Sequence, residues 1–151
     1  MRPDQARRAL SAIRGLALAN WHDFAREPEL CKSYLLNLSR GRILYVSDKV
    51  TCGRLDCWST YRDLRRRYQS AKPTSYILLD CEDAAAAHAG WLASNGYRGV
   101  YVGLVVGRQV SHAIVGIEQS PGAPITICDP CRWFGMPPTT YENPLWSKLT
   151  C

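Results

Sequence analysis

Glu82-Asp83-Ala84-Ala85-Ala86-Ala87-His88-Ala89-Gly90-Trp91-Leu92-Ala93-Ser94-Asn95, followed by Gly96, is the stretch on which the fold class turns. It is dense in alanine, the strongest helix former, and a glycine stands where helices commonly end. Its small side chains let the helix lie close against a sheet. A sheet follows: β-rich runs over residues 99–107, 109–118 and 125–128. Their connections, Gly107-Arg108 and Gln119-Ser120-Pro121-Gly122-Ala123-Pro124, carry hairpin-type residues, so neighbouring strands are antiparallel.

Working outward, Ser75-Tyr76-Ile77-Leu78-Leu79 suits a buried strand or an extended lead-in to the helix. Ala6, Leu10, Ile13, Ala17, Trp21 and Phe24 recur at steps of three and four, which predicts an amphipathic helix limited by Pro28. A second short helix is expected over 28–38, ended by Arg40-Gly41, and a β-prone stretch over 43–46. Residues 59–69 read as a helix with Ser59 as N-cap, closed by Lys72-Pro73. Helices, then a buried helix, then an antiparallel sheet is an α+β order. The expected organisation is one domain over 1–151, with N-terminal helices over 1–40. An extended C-terminal arm over 133–151 carries Pro137, Pro138, Pro144 and Trp146, and packs on its own domain or on a neighbour.

With 46% apolar and 21% charged residues, the 151-residue chain is neither a disordered tail nor a low-complexity linker. No apolar run reaches the roughly 18 residues of a membrane span, and Arg14 and Asn20 break the N-terminal segment, so no secretory signal is read. A cytoplasmic location follows as the expectation. Without export, the seven cysteines are expected to be thiols or ligands rather than a disulfide framework. The net charge of +6 is concentrated in Arg7, Arg8 and Arg14 and in Arg62, Arg65, Arg66 and Arg67. Solvated helix faces account for it better than nucleic-acid contact.

Cys81 is the first candidate for chemistry, because it stands immediately before the alanine-rich helix. The positive end of the helix dipole is expected to lower its thiol pKa. His112 lies in the strand pattern Ser111-His112-Ala113-Ile114, where an imidazole has no evident packing role, and Asp129 ends the next strand. A hairpin folded between Ser120 and Pro121 sets His112 directly opposite Asp129, so that the carboxylate can orient the imidazole. His88 is about 10 Å along the helix from Cys81, too far to serve it as base. His22, beside Trp21, reads as surface or packing.

Those residues carry a resemblance. Leu79-Asp80-Cys81-Glu82-Asp83-Ala84 looks like the nucleophile motif of the bacterial and phage transglutaminase-like cysteine peptidases. Ser111-His112-Ala113-Ile114 is similar to that family's histidine strand, and Cys128-Asp129-Pro130 to its Asp-Pro step. Upstream, Ile43-Leu44-Tyr45-Val46-Ser47-Asp48 and Asp56-Cys57-Trp58-Ser59-Thr60 are similar to the pattern preceding the nucleophile. The likeness spans about residues 43–131.

The resemblance implies a papain-like, transglutaminase-like core and a Cys-His-Asp triad. Cys81 is then the nucleophile, His112 the base and later the acid, and Asp129 the residue that fixes the imidazole. It further implies backbone N–H groups at the helix start as oxyanion donors, with Trp58 as a second donor and Glu82 in support. The expected substrate is a protein or peptide, through a thioester intermediate. No cofactor is required by this chemistry. Some relatives bind calcium through acidic residues flanking the nucleophile, here Asp80 and Glu82, with Asp48, Asp56 and Asp83 as further oxygens. Compact members without export signals occur in tailed phages, which implies other virion proteins as partners and a virion-associated location as the alternative to a cytoplasmic one.

Three alternatives stand beside this reading. Cys128 and Cys131 form a CxxC and Cys52 and Cys57 a CxxxxC, which together offer four thiolates to zinc. An NlpC-type peptidoglycan hydrolase shares the Asp-Cys step, a later histidine and the papain-like core. A virion or assembly protein can keep such a fold without its chemistry.

Overall fold

The computed structural model describes residues 2–47, 58–107, 111–136 and 140–149. Two helices open it, α1 (Pro3–Arg26) and α2 (Pro28–Ser39). Pro28 is at the first position of α2, where its missing N–H costs nothing. Gly41 ends the pair at φ 65°, a backbone conformation favouring glycine. Then come β1 (Ile43–Tyr45), α3 (Tyr61–Gln69) and β2 (Ile77–Leu79), which leads directly into α4 (Cys81–Ser94). The rest is β3 (Val100–Val106), β4 (Ser111–Ile117), β5 (Thr126–Cys128), the single-turn α5 (Pro130–Trp133) and β6 (Leu145–Lys148). The architecture is mixed α+β, as the sequence pattern predicts.

Four strands form one antiparallel sheet in the order β5-β4-β3-β6. Alternation along β3 and β4 sends Val100, Val102, Leu104, Ala113 and Val115 into the core beside α4 and α1. On α4, Ala84, Ala85, Ala86, Ala87 and Ala89 are all fully buried. A helix buried on so many sides has no polar face to show, and only small side chains let α1 and the sheet approach together. Gly90 marks the closest point. A Cβ there would stand 2.7 Å from Asn20 Cβ and 2.8 Å from the Ala17 carbonyl oxygen on α1.

The lead-in to α4 is more than an extended approach. β2 pairs in parallel with β1, Tyr45 opposite Leu79, in a separate two-stranded sheet. Val46 N–H donates to the Leu79 carbonyl at 2.8 Å, and Tyr45 N–H to the Phe134 carbonyl at 2.8 Å. The start of α4 is thus tied to β1 and, through β1, to the turn after α5.

Three local expectations change. Thr60, not Ser59, caps α3: its Oγ1 accepts from Asp63 N–H at 3.3 Å, while Ser59 N–H donates to Asp83 Oδ1 at 2.8 Å. The β4–β5 pairing is displaced by two residues, with Val115 opposite Cys128, because the turn closes from Ala123 N–H to the Ser120 carbonyl around Pro121-Gly122. Gly122 takes φ 82°, as the third residue of such a turn demands. The extended segment after Trp133 supplies β6, which pairs with β3 and packs on its own sheet. Trp146 of that strand lies over Gly103 and Gly116, 2.6 and 2.5 Å from where their Cβ atoms would be.

The basic residues follow the solvated-face reading in part. Arg8 pairs with Asp4 on α1, and Arg62 with Asp23 and Glu27 across to α3. Arg65 and Arg66 are exposed. No described helix is long and apolar enough to cross a membrane.

The two helical glycines should respond oppositely to alanine. Gly90→Ala forces α1 and α4 apart and should destabilise by about 1–3 kcal/mol, the usual cost of overpacking. Gly15→Ala, on α1 with nothing within 4 Å of its Cβ position, should stabilise by about 0.5–1 kcal/mol. Urea unfolding of both variants checks the pair of signs.

Candidate active site

Asp80 is the N-cap of α4, and Cys81 is its first residue. The Asp80 Oδ1 accepts from Asp83 N–H at 3.1 Å, and Asp83 Oδ2 accepts from Asp80 N–H at 3.5 Å, a reciprocal capping box. Asp83 Oδ1 also takes Ser59 N–H, which fastens the Trp58-Ser59 segment to the first turn of α4. Asp80 and Asp83 are both buried. Two adjacent carboxyls cannot both ionise cheaply there, and burial, with Asp80's charge next, raises Asp83 to about 9. A neutral Asp83 donates its proton to Asp80, so the cap holds one negative charge.

The Cys81 thiol is 8% exposed and free. It donates to Glu82 Oε2 at 3.2 Å and accepts from Ala113 N–H, one residue beyond His112 on β4. The pKa expected from the helix dipole is overturned. Burial pushes the thiol well above its ordinary value and Glu82's charge adds to it, with the Ala113 N–H opposing. Desolvating a thiolate and placing it against a carboxylate outweighs half a charge at a helix end. Burial, with the Cys81 charge next, likewise raises Tyr45 to about 12, since that phenol shares the region.

His112 and Asp129 meet. His112 Nε2–H donates to Asp129 Oδ2 at 2.8 Å, both side chains being buried. They are not directly opposed, because the two-residue displacement puts Asp129 beyond the end of β5 on a diagonal. An even displacement keeps both on the same sheet face, which is why the contact survives. Asp129 also caps α5, its Oδ1 accepting from Cys131 N–H at 3.2 Å. Tyr141 O–H donates to the same Oδ2 as His112, at 2.8 Å. Burial pushes Asp129 up, but the hydrogen bonds from His112 and Tyr141 outweigh it and hold the carboxyl below its ordinary value. With Nε2–H committed, the neutral ring's Nδ1 carries the free lone pair, and that atom is buried without a partner.

Trp58 Nε1–H is a second buried nitrogen without a partner, on the segment fastened to the first turn of α4. Its ring packs on the core. A buried orphan donor costs about 1–3 kcal/mol, and Asn20 Nδ2 on α1 is a third such nitrogen among the described residues.

The remaining candidates fall away from this site. His88 Nδ1 takes part in a 2.9 Å hydrogen bond with Tyr34 O–H, its ring stacks on Trp91, and burial lowers it to about 4. His22 is exposed beside Arg26. For calcium, Asp80 is engaged as a cap, Glu82 meets Cys81, and Asp83 is held neutral. Among the described residues no group of three or more His, Cys, Asp or Glu is placed to hold a metal. Asp48 and Asp56 lie outside the described residues, as do Cys52 and Cys57, half of the zinc set. Cys128 and Cys131 are free thiols.

Tyr141 was not visible as a site residue in the sequence, since it follows Pro137-Pro138 in a segment without periodicity. A groove of about 540 Å³ beside Asp129 is lined by Ile127, Cys128, Arg132, Trp133 and Tyr141. A cavity of about 580 Å³ at the opposite end of β4, near Tyr97 and Lys148, touches none of Cys81, His112 and Asp129.

Asp83 makes stability pH-dependent. Its folded value near 9 lies above the unfolded carboxyl value of about 3.9, so the folded chain binds the extra proton between them. That stabilisation is complete below the unfolded value and is lost as pH rises through about 9. Asp83→Asn should therefore flatten the decline of Tm over this range, as thermal melts of both proteins across pH will show.

No protein-family model and no curated protein matches the sequence.

Proposed function

We propose that the protein is a cysteine peptidase or amide hydrolase working through Cys81, His112 and Asp129 on a papain-like, transglutaminase-like core. The observation that carries this reading is the state of His112: Nε2–H fixed on Asp129, and a buried Nδ1 left as a free acceptor. That is the tautomer a general base needs. The Cys81 sulfur supports it, lying against the backbone N–H of the residue next to His112.

In the reaction, Nδ1 takes the Cys81 proton as the sulfur attacks an amide carbonyl. The C–N bond breaks as Nδ1–H passes its proton to the leaving amine, which leaves a thioester on Cys81. Water, deprotonated by Nδ1, then releases the acid and the free thiol. An amine in place of water gives acyl transfer. The developing oxyanion is held by first-turn N–H groups of α4 other than that of Asp83, which the Asp80 cap occupies, and by Trp58 Nε1–H. Losing one such donor costs about 10²–10³ in rate. Asp129 keeps the ring in register and stabilises the imidazolium, as a triad carboxylate does. The substrate is a protein or peptide, and a virion protein is the partner class that the resemblance suggests.

Because the resting thiol is raised and hydrogen-bonded to Glu82, the proton is transferred when the substrate arrives, not beforehand. Glu82 thereby restrains the sulfur.

Alkylation of each cysteine, followed by mass spectrometry across pH, tests the reading. His112→Ala should slow the alkylation of Cys81 and leave that of Cys31 unchanged, since His112 takes the thiol proton as the sulfur attacks the electrophile. A Cys81 rate that His112→Ala leaves unchanged would defeat the proposal and favour an assembly role for the fold. Glu82→Gln removes the opposing charge and should raise the Cys81 rate near neutral pH about tenfold, the effect of one pKa unit.

A further inference from the structure

We infer that Tyr141 is a fourth member of the site, a positioning residue whose hydroxyl shares Asp129 Oδ2 with His112 and whose ring stacks on the imidazole. The inference rests on the catalytic reading of Cys81 and His112. Its geometry, however, belongs to His112 and Asp129 alone. The Tyr141 O–H to Asp129 Oδ2 distance is 2.8 Å, the same as that from His112 Nε2. The two rings lie 6.4 Å apart between centroids, 27° from parallel. One side chain therefore touches both members of the pair, from a segment that neither strand supplies.

Each Asp129 oxygen has an assigned donor. Oδ1 is held by Cys131 N–H, which fixes the carboxylate plane, and Oδ2 is divided between His112 and Tyr141. An oxygen shared by two donors binds each less tightly than it would bind one. The hydroxyl thus limits how strongly Asp129 holds an imidazolium, so that the ring can give its proton to a leaving amine. Arg132 on α5 donates to the Tyr141 oxygen and orients the phenol. Other groups facing Asp129 stay neutral, since burial raises Cys128 to about 11 and pushes Cys131 well up. His112 and Tyr141 are then the side-chain donors to this carboxylate among the described residues.

Tyr141→Phe keeps the ring and removes only the hydroxyl. Two readouts on the full chain test it beside the native protein and His112→Ala. In the first, the pH midpoint of Cys81 alkylation should move down by about half to one unit, because an unshared Asp129 favours the imidazolium that forms as Cys81 gives up its proton. In the second, the Nε2–H proton resonance of His112, observed in histidine-labelled protein at neutral pH, should move downfield. A residue that merely props the fold would lower Tm and move neither readout. If His112→Ala shows that Cys81 depends on His112 while Tyr141→Phe leaves midpoint and resonance unchanged, the inference is wrong and the catalytic reading stands. If Cys81 proves independent of His112, the catalytic reading fails and the resonance alone decides: a downfield shift keeps Tyr141 as the determinant of the His112–Asp129 pair, and an unmoved resonance overturns it.

Discussion

The burial of α4 between α1 and the four-stranded sheet is the constraint on which the rest depends. A helix enclosed in this way can carry only small side chains, and its run of alanines around Gly90 meets that demand. Close packing leaves the helix little freedom to slide or rotate. Its first turn is then located to within the tolerance of a packed core. Cys81 inherits that placement, while the β1–β2 pair fixes the direction from which the chain enters.

Around this fixed point three aspartates divide the work. Asp80 accepts from one first-turn N–H of α4, that of Asp83, and Asp83 returns the cap and fastens Ser59. Asp129 does two things with its two oxygens, ending β5 as the cap of α5 and receiving His112. A carboxylate held on both oxygens has little rotational freedom, so the imidazole it receives is oriented as well as bound. The same economy explains why a helix of one turn follows β5 directly. It converts a strand end into a rigid mount for the carboxylate.

Electrostatically the site is a restrained one. Burial and Glu82 hold the sulfur as a thiol, although it sits at a helix N-terminus. Helix dipoles act strongly on exposed or half-exposed groups, but a fully enclosed thiolate loses more in solvation than half a charge returns. The buried, unpartnered nitrogens of His112 and Trp58 are the counterpart of that restraint. Under the proposed function the first takes the Cys81 proton and the second meets a substrate's carbonyl oxygen.

Much of this was legible in residue order because local rules act locally. Pro28 separates α1 from α2, Gly96 follows α4 at φ 93°, and alternation marks β3 and β4, so these elements could be read without a neighbour. The pairing of His112 with Asp129 was legible for a subtler reason: sheet faces repeat every two residues, so an even error in register leaves the face correct. The tertiary structure alone decided the rest. The parallel pairing of β1 with β2 joins segments more than thirty residues apart, and β6 finds β3 from the far end of the chain. The Cys81 pKa depends on how many atoms exclude water from the sulfur, which no local pattern records. Tyr141 reaches Asp129 through the path of a chain segment with no periodicity to announce it. Backbone propensity is written one residue at a time, whereas burial and long-range contact are properties of the whole packed chain.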